Sequence, residues 1–206
     1  MNERADLGFV HRFVPAISPK RTPLLLLHGT GADENDLIPL GAQLSPGAAL
    51  LSPRGKVLEH GMPRFFRRVG EGVFDVEDLK MRTGELAGFL AKARAAYGLA
   101  APIAVGFSNG ANIAWSLLLS DPQSLAGAIL MRAMLPFDPH TISRLDGKPV
   151  LMLSGAADPI ISAPQRDKLA KLLKASGADL QYELLPSGHR LIPQDISIAA
   201  EWLAKR

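Results

Sequence analysis

Apolar residues along this chain fall into two alternating kinds of run. The first kind is short, nearly unbroken and ends in turn chemistry. Leu24 to Leu27 runs into "HGTG", Ala48 to Leu51 into "SPRG", and Pro102 to Phe107 into a serine. Leu125 to Met131 ends near "RAMLP", Val150 to Leu153 in "SGAADP", and Gln181 to Leu185 in "PSGH". These runs do not alternate apolar with polar residues, so they predict strands buried on both faces. Phe9 to Val14 reads as an additional strand near an edge.

The second kind has helical spacing. Asn35 to Leu44 carries Leu37, Leu40 and Leu44. Val76 to Tyr97 carries Leu79, Leu86, Phe89, Leu90 and Ala93 with charges between them. Asn109 to Leu119 is mostly apolar and reads as a buried helix. Pro164 to Ser176 sets Leu169, Leu172 and Leu173 against lysines, with Gly177 as the stop. Asp195 to Lys205 closes the series, with Asp195 as its expected N-cap. Strand and helix alternate with short links, which predicts an α/β fold: a mostly parallel central sheet with helices on both faces. Residues 1–206 read as a single domain without repeats or linkers. Lys56 to Phe74 reads as an irregular excursion between strand and helix, long enough to carry function.

Composition narrows the function classes. Hydrophobic residues make up 47% of the chain against 21% charged, so a substantial core is expected rather than disorder. There is no cysteine, which removes disulfides, thiolate chemistry and cysteine metal sites together. That fits a cytoplasmic protein. The opening "MNERADLGFVHRFV" places acids beside basic residues with no long apolar run, so no secretory signal is expected. No apolar stretch approaches the roughly eighteen residues of a bilayer span, so stable membrane insertion is not expected either. The net charge of +3 is a mild excess, and no dense basic stripe points to nucleic acid. Arg64 to Arg68, "RFFRR", is the densest basic segment. It is either a contact for phosphate or another anion, or a solvated loop around two core phenylalanines.

The candidate chemistry centres on "AVGFSNGANIAW". Gly106-Phe107-Ser108-Asn109-Gly110 fits G-x-S-x-G between a predicted strand and a predicted helix, the context that motif requires. A strand that turns straight into a helix crowds the positions two before and two after the central residue, which suits glycine at both. The turn would lift Ser108 to a helix N-terminus, which favours developing negative charge. A serine hydroxyl is a poor nucleophile and needs a base, a group that orients the base, and donors for an oxyanion. Among the five histidines, His189 follows the last predicted strand, at the end where open parallel sheets bind ligands. His28 also lies at a strand end but reads as scaffolding for its loop. His11, His60 and His140 read as surface residues. Of the acids between serine and histidine, Asp158 directly follows a strong strand. Asp121 and Asp138 read as turn and cap residues, and Asp167 and Asp179 as a helix and its exit. The backbone N–H of Asn109 is one expected oxyanion donor, and that of Thr30 in "HGTG" is the other.

With these parts in hand, the sequence resembles the α/β-hydrolase superfamily. More narrowly, it is similar to the small phospholipase/carboxylesterase group that includes acyl-protein thioesterases. The matching pieces are "LLLLHGTGADENDLIPL", "LLSPRG", "MPRFFRR", "VGFSNGANIA", "LSGAADPII" and "LPSGHRL". The resemblance implies an α/β-hydrolase fold with no large lid domain, and a Ser108, Asp158 and His189 triad with Thr30 and Asn109 at the oxyanion hole. It also implies no cofactor or metal, a carboxylic ester or thioester as substrate, and a possible homodimer. Two positions depart from the group. Asn109 stands where many members have glutamine, and Arg190 follows the histidine where many have glycine. The expected reaction is hydrolysis of esters of small or medium acyl groups. Thioesters, lysophospholipids and acylated proteins remain alternatives, as does a binding protein that keeps the fold without catalysis. Phe65, Phe66, Met131, Met134 and Leu135 either line an acyl site or belong to the core. Arg67 and Arg68, or Arg190, could favour acidic esters.

Overall fold

Leu24–Leu27 is four leucines in a row, and all four are buried. A strand can sustain such a run only if both faces are covered. In the computed structural model, which describes residues 7–70, 72–139 and 143–206, both covers are present. Leu25 and Leu27 enter a core shared with helices α2 (Val76–Tyr97), α3 (Asn109–Ser120) and α4 (Ala163–Ala175). Leu24 and Leu26 enter a second core, shared with α1 (Ile38–Leu44) and α5 (Pro193–Ala204). Burying each such leucine contributes roughly 1.5–3 kcal/mol.

The strand carrying these leucines, β2 (Leu24–Leu27), sits inside a seven-stranded sheet. The others are β1 (His11–Val14), β3 (Leu50–Pro53), β8 (Ile103–Phe107), β9 (Gly127–Met131), β10 (Pro149–Gly155) and β11 (Asp179–Leu185), in the order β1-β3-β2-β8-β9-β10-β11. Every pairing is parallel except that of β1, which lies antiparallel along β3 at one edge. The predicted α/β class and the edge strand are therefore both present. The carboxyl ends of β2, β8, β9, β10 and β11 share one rim of the sheet.

Several details differ from the sequence reading. The excursion of residues 56–74 is two hairpins: β4 (Val57–Glu59) with β5 (Met62–Arg64), and β6 (Arg68–Gly70) with β7 (Val73–Phe74). The first turns on His60 and Gly61, both at positive φ (51° and 79°), as a two-residue hairpin turn requires. Helix α1 starts at Ile38 rather than Asn35, because Asp33 Oδ1 accepts the Asn35 N–H at 2.8 Å and holds a turn there. Helix α5 starts at Pro193, which needs no N–H partner in a first turn, so Asp195 is not the N-cap but lies inside the helix. His60 is exposed, whereas His11 is buried, its Nδ1–H donating to Phe9 O and its Nε2 accepting from Tyr97 Oη–H, at 2.8 Å each. His140 lies outside the described residues.

The junction of β8 and α3 is closely packed. A Cβ on Gly106 would lie 2.6 Å from the Gly110 carbonyl oxygen, so the two glycines do face one another. A Cβ on Gly110 would meet something else: the Leu27 carbonyl oxygen of β2, at 2.0 Å. Gly110 thus lets the first turn of α3 seat directly on the neighbouring strand. Gly110→Ala is expected to cost about 3 kcal/mol or more, at the upper end for an overpacked site. Urea unfolding measures it, and a loss under 1 kcal/mol would contradict the packing described.

Candidate active site

Ser108 leaves the end of β8 at φ 52° and ψ −115°, a conformation that side-chain-bearing residues rarely adopt. Two backbone hydrogen bonds hold it there: Ser108 N–H to Met131 O at 2.9 Å, and Asn112 N–H to Ser108 O at 3.0 Å. The side chain is left half-buried at the start of α3.

His189 comes from the loop after β11, and its Nε2 lies 2.9 Å from Ser108 Oγ. Its Nδ1 lies 2.8 Å from Asp158 Oδ2, on the loop after β10. The other Asp158 oxygen accepts the N–H groups of Ile160 and Ile161 at 2.8 and 3.2 Å. A carboxylate that accepts on both oxygens fixes the imidazole tautomer: Nδ1–H donates to Asp158, and the Nε2 lone pair faces the hydroxyl. Three residues from three separated segments thus form one continuous chain of hydrogen bonds, able to carry a proton from Ser108 Oγ to the imidazole.

Thr30 and Asn109 line the same cleft as Ser108 and His189. Neither backbone N–H finds an acceptor among the described residues, so both are free to receive a developing oxyanion. The Asn109 side chain has a different task. Its Oδ1 accepts the Phe65 N–H at 2.8 Å and ties the β5 end to the nucleophile turn.

The Thr30 loop is anchored from three sides. Gly31 N–H donates to Pro63 O at 3.0 Å, and Arg54 grips the Glu34 carboxylate through Nε and Nη2. His28 supplies the third tie. Its Nδ1 faces the Gly29 carbonyl at 2.7 Å, and its Nε2 accepts the Gly55 N–H at 3.0 Å. That pairing demands a neutral ring, because a proton on Nε2 would confront the Gly55 N–H. Burial pushes the His28 pKa below its ordinary value, against a smaller upward pull from the Gly29 carbonyl.

The cleft is about 280 Å³. Met134, Phe107, Ile160 and Ile161 supply apolar wall, and Arg64, Arg68 and Arg132 supply charge. Of the five apolar residues considered from sequence, Met134 alone lines it. Phe65 and Phe66 are buried in the core beneath the helices, and Met131 points to the opposite core. Leu135 faces a separate hollow beside Pro164 and Lys168. Arg190 is exposed and outside the cleft lining; its carbonyl, not its guanidinium, is engaged.

What engages that carbonyl is Arg132, which the sequence reading passed over. Arg132 directly follows β9 at φ 55° and is paired bidentately with Asp195 at 2.8 and 2.7 Å, both side chains fully buried. Three N–H groups remain: Nε donates to Gly188 O at 2.9 Å, Nη2 shares its second N–H between Arg190 O and Ser187 Oγ at 3.0 Å each, and Nη1 donates to Leu153 O of β10 at 3.3 Å, so two of the three hold the histidine loop. The signal was an arginine inside an otherwise apolar strand end, since a buried charge needs a partner.

A model of the phospholipase/carboxylesterase family matches residues 91–206, more than half the chain. The chain belongs to that family. The putative hydrolase MhqD of Bacillus subtilis strain 168 is 44% identical over 181 residues, covering 87% of this chain and 90% of MhqD. The carboxylesterase of Bacillus cereus superposes with a TM-score of 0.93 at 42% identity, covering 96% of this chain and 94% of that one. The carboxylesterase of Mesorhizobium loti gives 0.92 at 34% identity over 98% of each chain. The protein is thus a carboxylesterase-family hydrolase. Among its described residues no helix is long and apolar enough to cross a membrane.

Asp195→Ala leaves the Arg132 guanidinium buried without a counter-ion, at an expected cost of about 3–5 kcal/mol in urea unfolding. The double replacement Arg132→Met with Asp195→Leu should recover most of that stability. Ester turnover should nonetheless stay at least about tenfold down, because the loop carbonyls have lost their donors. A histidine whose pKa falls on folding costs nothing above its ordinary value of 6.5 and destabilises as pH drops below that value. The thermal midpoint should therefore hold above about pH 7 and begin to fall near pH 6. His28→Gln, which keeps a neutral donor and acceptor, should flatten that fall. The same decline in both proteins would remove His28 as its source.

Proposed function

We propose that the protein hydrolyses carboxylic esters of small or medium acyl groups through an acyl-enzyme intermediate on Ser108. The observation that carries this reading is the unbroken hydrogen-bond chain Ser108–His189–Asp158, with contacts of 2.9 and 2.8 Å. His189 takes the hydroxyl proton as Oγ attacks the carbonyl carbon. Asp158 holds the imidazole in the required tautomer and stabilises its charged form. The Thr30 and Asn109 amides receive the oxyanion, and the N-terminus of α3 adds its positive end. His189 then returns the proton to the leaving alcohol. Water repeats the sequence against the acyl-enzyme and releases the acid.

A cleft of about 280 Å³ with apolar wall on one side supports short and medium chains over long ones. Thioesters share the chemistry at the carbonyl, so the leaving group is a matter for direct comparison.

A fluorophosphonate should label wild-type protein stoichiometrically at Ser108, located by peptide mass analysis. Ser108→Ala should be folded, unlabelled and inactive on p-nitrophenyl acetate and butyrate. Asp158→Asn should lose roughly 10⁴-fold in kcat by releasing the wrong tautomer. Near-wild-type turnover in Ser108→Ala removes the serine from the mechanism. A panel of acyl thioesters of equal chain length measures the leaving-group preference.

A further inference from the structure

The cleft beside Ser108 has a charge asymmetry that ester hydrolysis alone does not require. Three arginines line it, and among the described residues no aspartate or glutamate does. Arg132 is neutralised inside the protein by Asp195. Arg67, next in the same basic segment, is drawn away to Asp75 and Asp78 on the α2 side. Arg64 and Arg68 remain.

Both reach one carboxylate. Glu59 Oε2 accepts from Arg64 Nη1 at 2.6 Å, and Oε1 accepts from Arg68 Nε at 2.8 Å. The hydrogen bond from Arg68, with that from Arg64, holds the Glu59 carboxyl below its ordinary range, so the three groups are charged together. Two guanidiniums against one carboxylate leave one positive charge on this wall. The two arginines are not equivalent. Arg64 is 3% exposed, and its Nε is spent on the Phe66 carbonyl at 3.2 Å. Arg68 is 37% exposed and touches Glu59 through Nε. Its two terminal nitrogens find no acceptor among the described residues. A guanidinium held by its inner nitrogen, with its outer pair free, presents a fork suited to an incoming carboxylate. Apolar Phe107, Met134 and Ile161 line the same cleft.

Building on the serine-esterase reading, we propose that Arg68, backed by Arg64, forms a subsite for an anionic group on the substrate. The enzyme then prefers esters that carry a carboxylate a few bonds from the scissile carbonyl over neutral esters of the same shape.

Two matched pairs test this by kcat/KM. Monomethyl adipate against methyl hexanoate places the charge on the acyl side. Carboxymethyl hexanoate against ethyl hexanoate places it on the alcohol side. At least one pair should favour the anion by about tenfold at low ionic strength, and the favoured pair identifies which half of the ester faces Arg68. The preference should shrink from about 0.01 M to about 0.5 M salt. It should fall to about one in Arg68→Gln and be largely kept in Arg68→Lys, which restores the charge but not the fork. The ratio within each variant cancels any general loss of activity. Ratios near one in the wild-type protein, or a preference that survives Arg68→Gln, overturn the proposal. If neutral esters are then still hydrolysed and Ser108 still labels, the serine reading stands without it. If Ser108 does not label and no ester is cleaved, the serine reading falls first.

Discussion

The Arg132–Asp195 pair is the interaction on which the site depends. Neither side chain has any exposure, so both ions are stripped of water, at several kcal/mol each. Such a pair is tolerable only when its geometry is bidentate and the leftover donors are also satisfied. Here one leftover donor is satisfied by Leu153 O of β10 and the others by Gly188, Arg190 and Ser187, the residues flanking His189. Most of the contacts that make the buried charge acceptable are therefore contacts that fix the histidine loop. Asp195 closes the arrangement from the other side, accepting the Ile192 N–H at 2.8 Å where α5 begins.

Sheet geometry explains why such a clamp is needed. Adjacent strands lie about 4.8 Å apart, so β11 ends roughly 14 Å from β8, three strands away. A histidine on the loop after β11 must reach back across β10 and β9 to meet Ser108. The loops after β10 and β11 are zipped together by Ala156 N–H to Leu185 O at 2.8 Å and Ala157 N–H to Ser187 O at 3.0 Å. Arg132, at the end of intervening β9, then draws the combined loop toward the serine. The strained Ser108 and Arg132 backbones sit at the ends of neighbouring strands and are bonded to that same region, Ser108 to β9 and Arg132 N–H to Leu153 O of β10 at 2.8 Å. Strain of order 1–3 kcal/mol at each persists because the sheet over-determines both.

Much of this was legible from residue order. Unbroken apolar runs report strands covered on both faces, and the parallel sheet follows from them. Ser108, Asp158 and His189 each stand directly after such a run, which puts all three on one rim whatever the loops do. The remainder was hidden where an interaction spans distant segments. Asp195 has the local signature of an N-cap, and only its contact with Arg132, sixty-three positions earlier, gives it another role. The first hairpin, residues 57–64, was obscured because His60-Gly61 is a less common occupant of a two-residue turn than Asn-Gly. Phe65, Phe66 and Met131 are apolar residues near a site in sequence, and periodicity alone cannot say which side of the backbone faces the cleft. His11 was misjudged for the same reason: nothing local reveals that Tyr97 arrives to cover it.

The two departures from the family pattern have structural consequences of opposite kind. Arg190 adds bulk and charge directly after the histidine, yet its carbonyl is pinned by Arg132 and its side chain is left exposed, outside the cleft. The backbone anchor fixes where the side chain leaves the loop, so the guanidinium does not crowd His189 in the cleft. Asn109 is shorter than glutamine, and its Oδ1 accepts the Phe65 N–H at 2.8 Å. That bond joins the nucleophile turn to the segment carrying Arg64 and Arg68. A hairpin fastened this way cannot drift from the serine without breaking a buried hydrogen bond, and leaving the amide unpaired there costs about 1–3 kcal/mol. Arg64, Arg68 and the Ser108 hydroxyl are thereby held in fixed register by a residue that lines the same cleft.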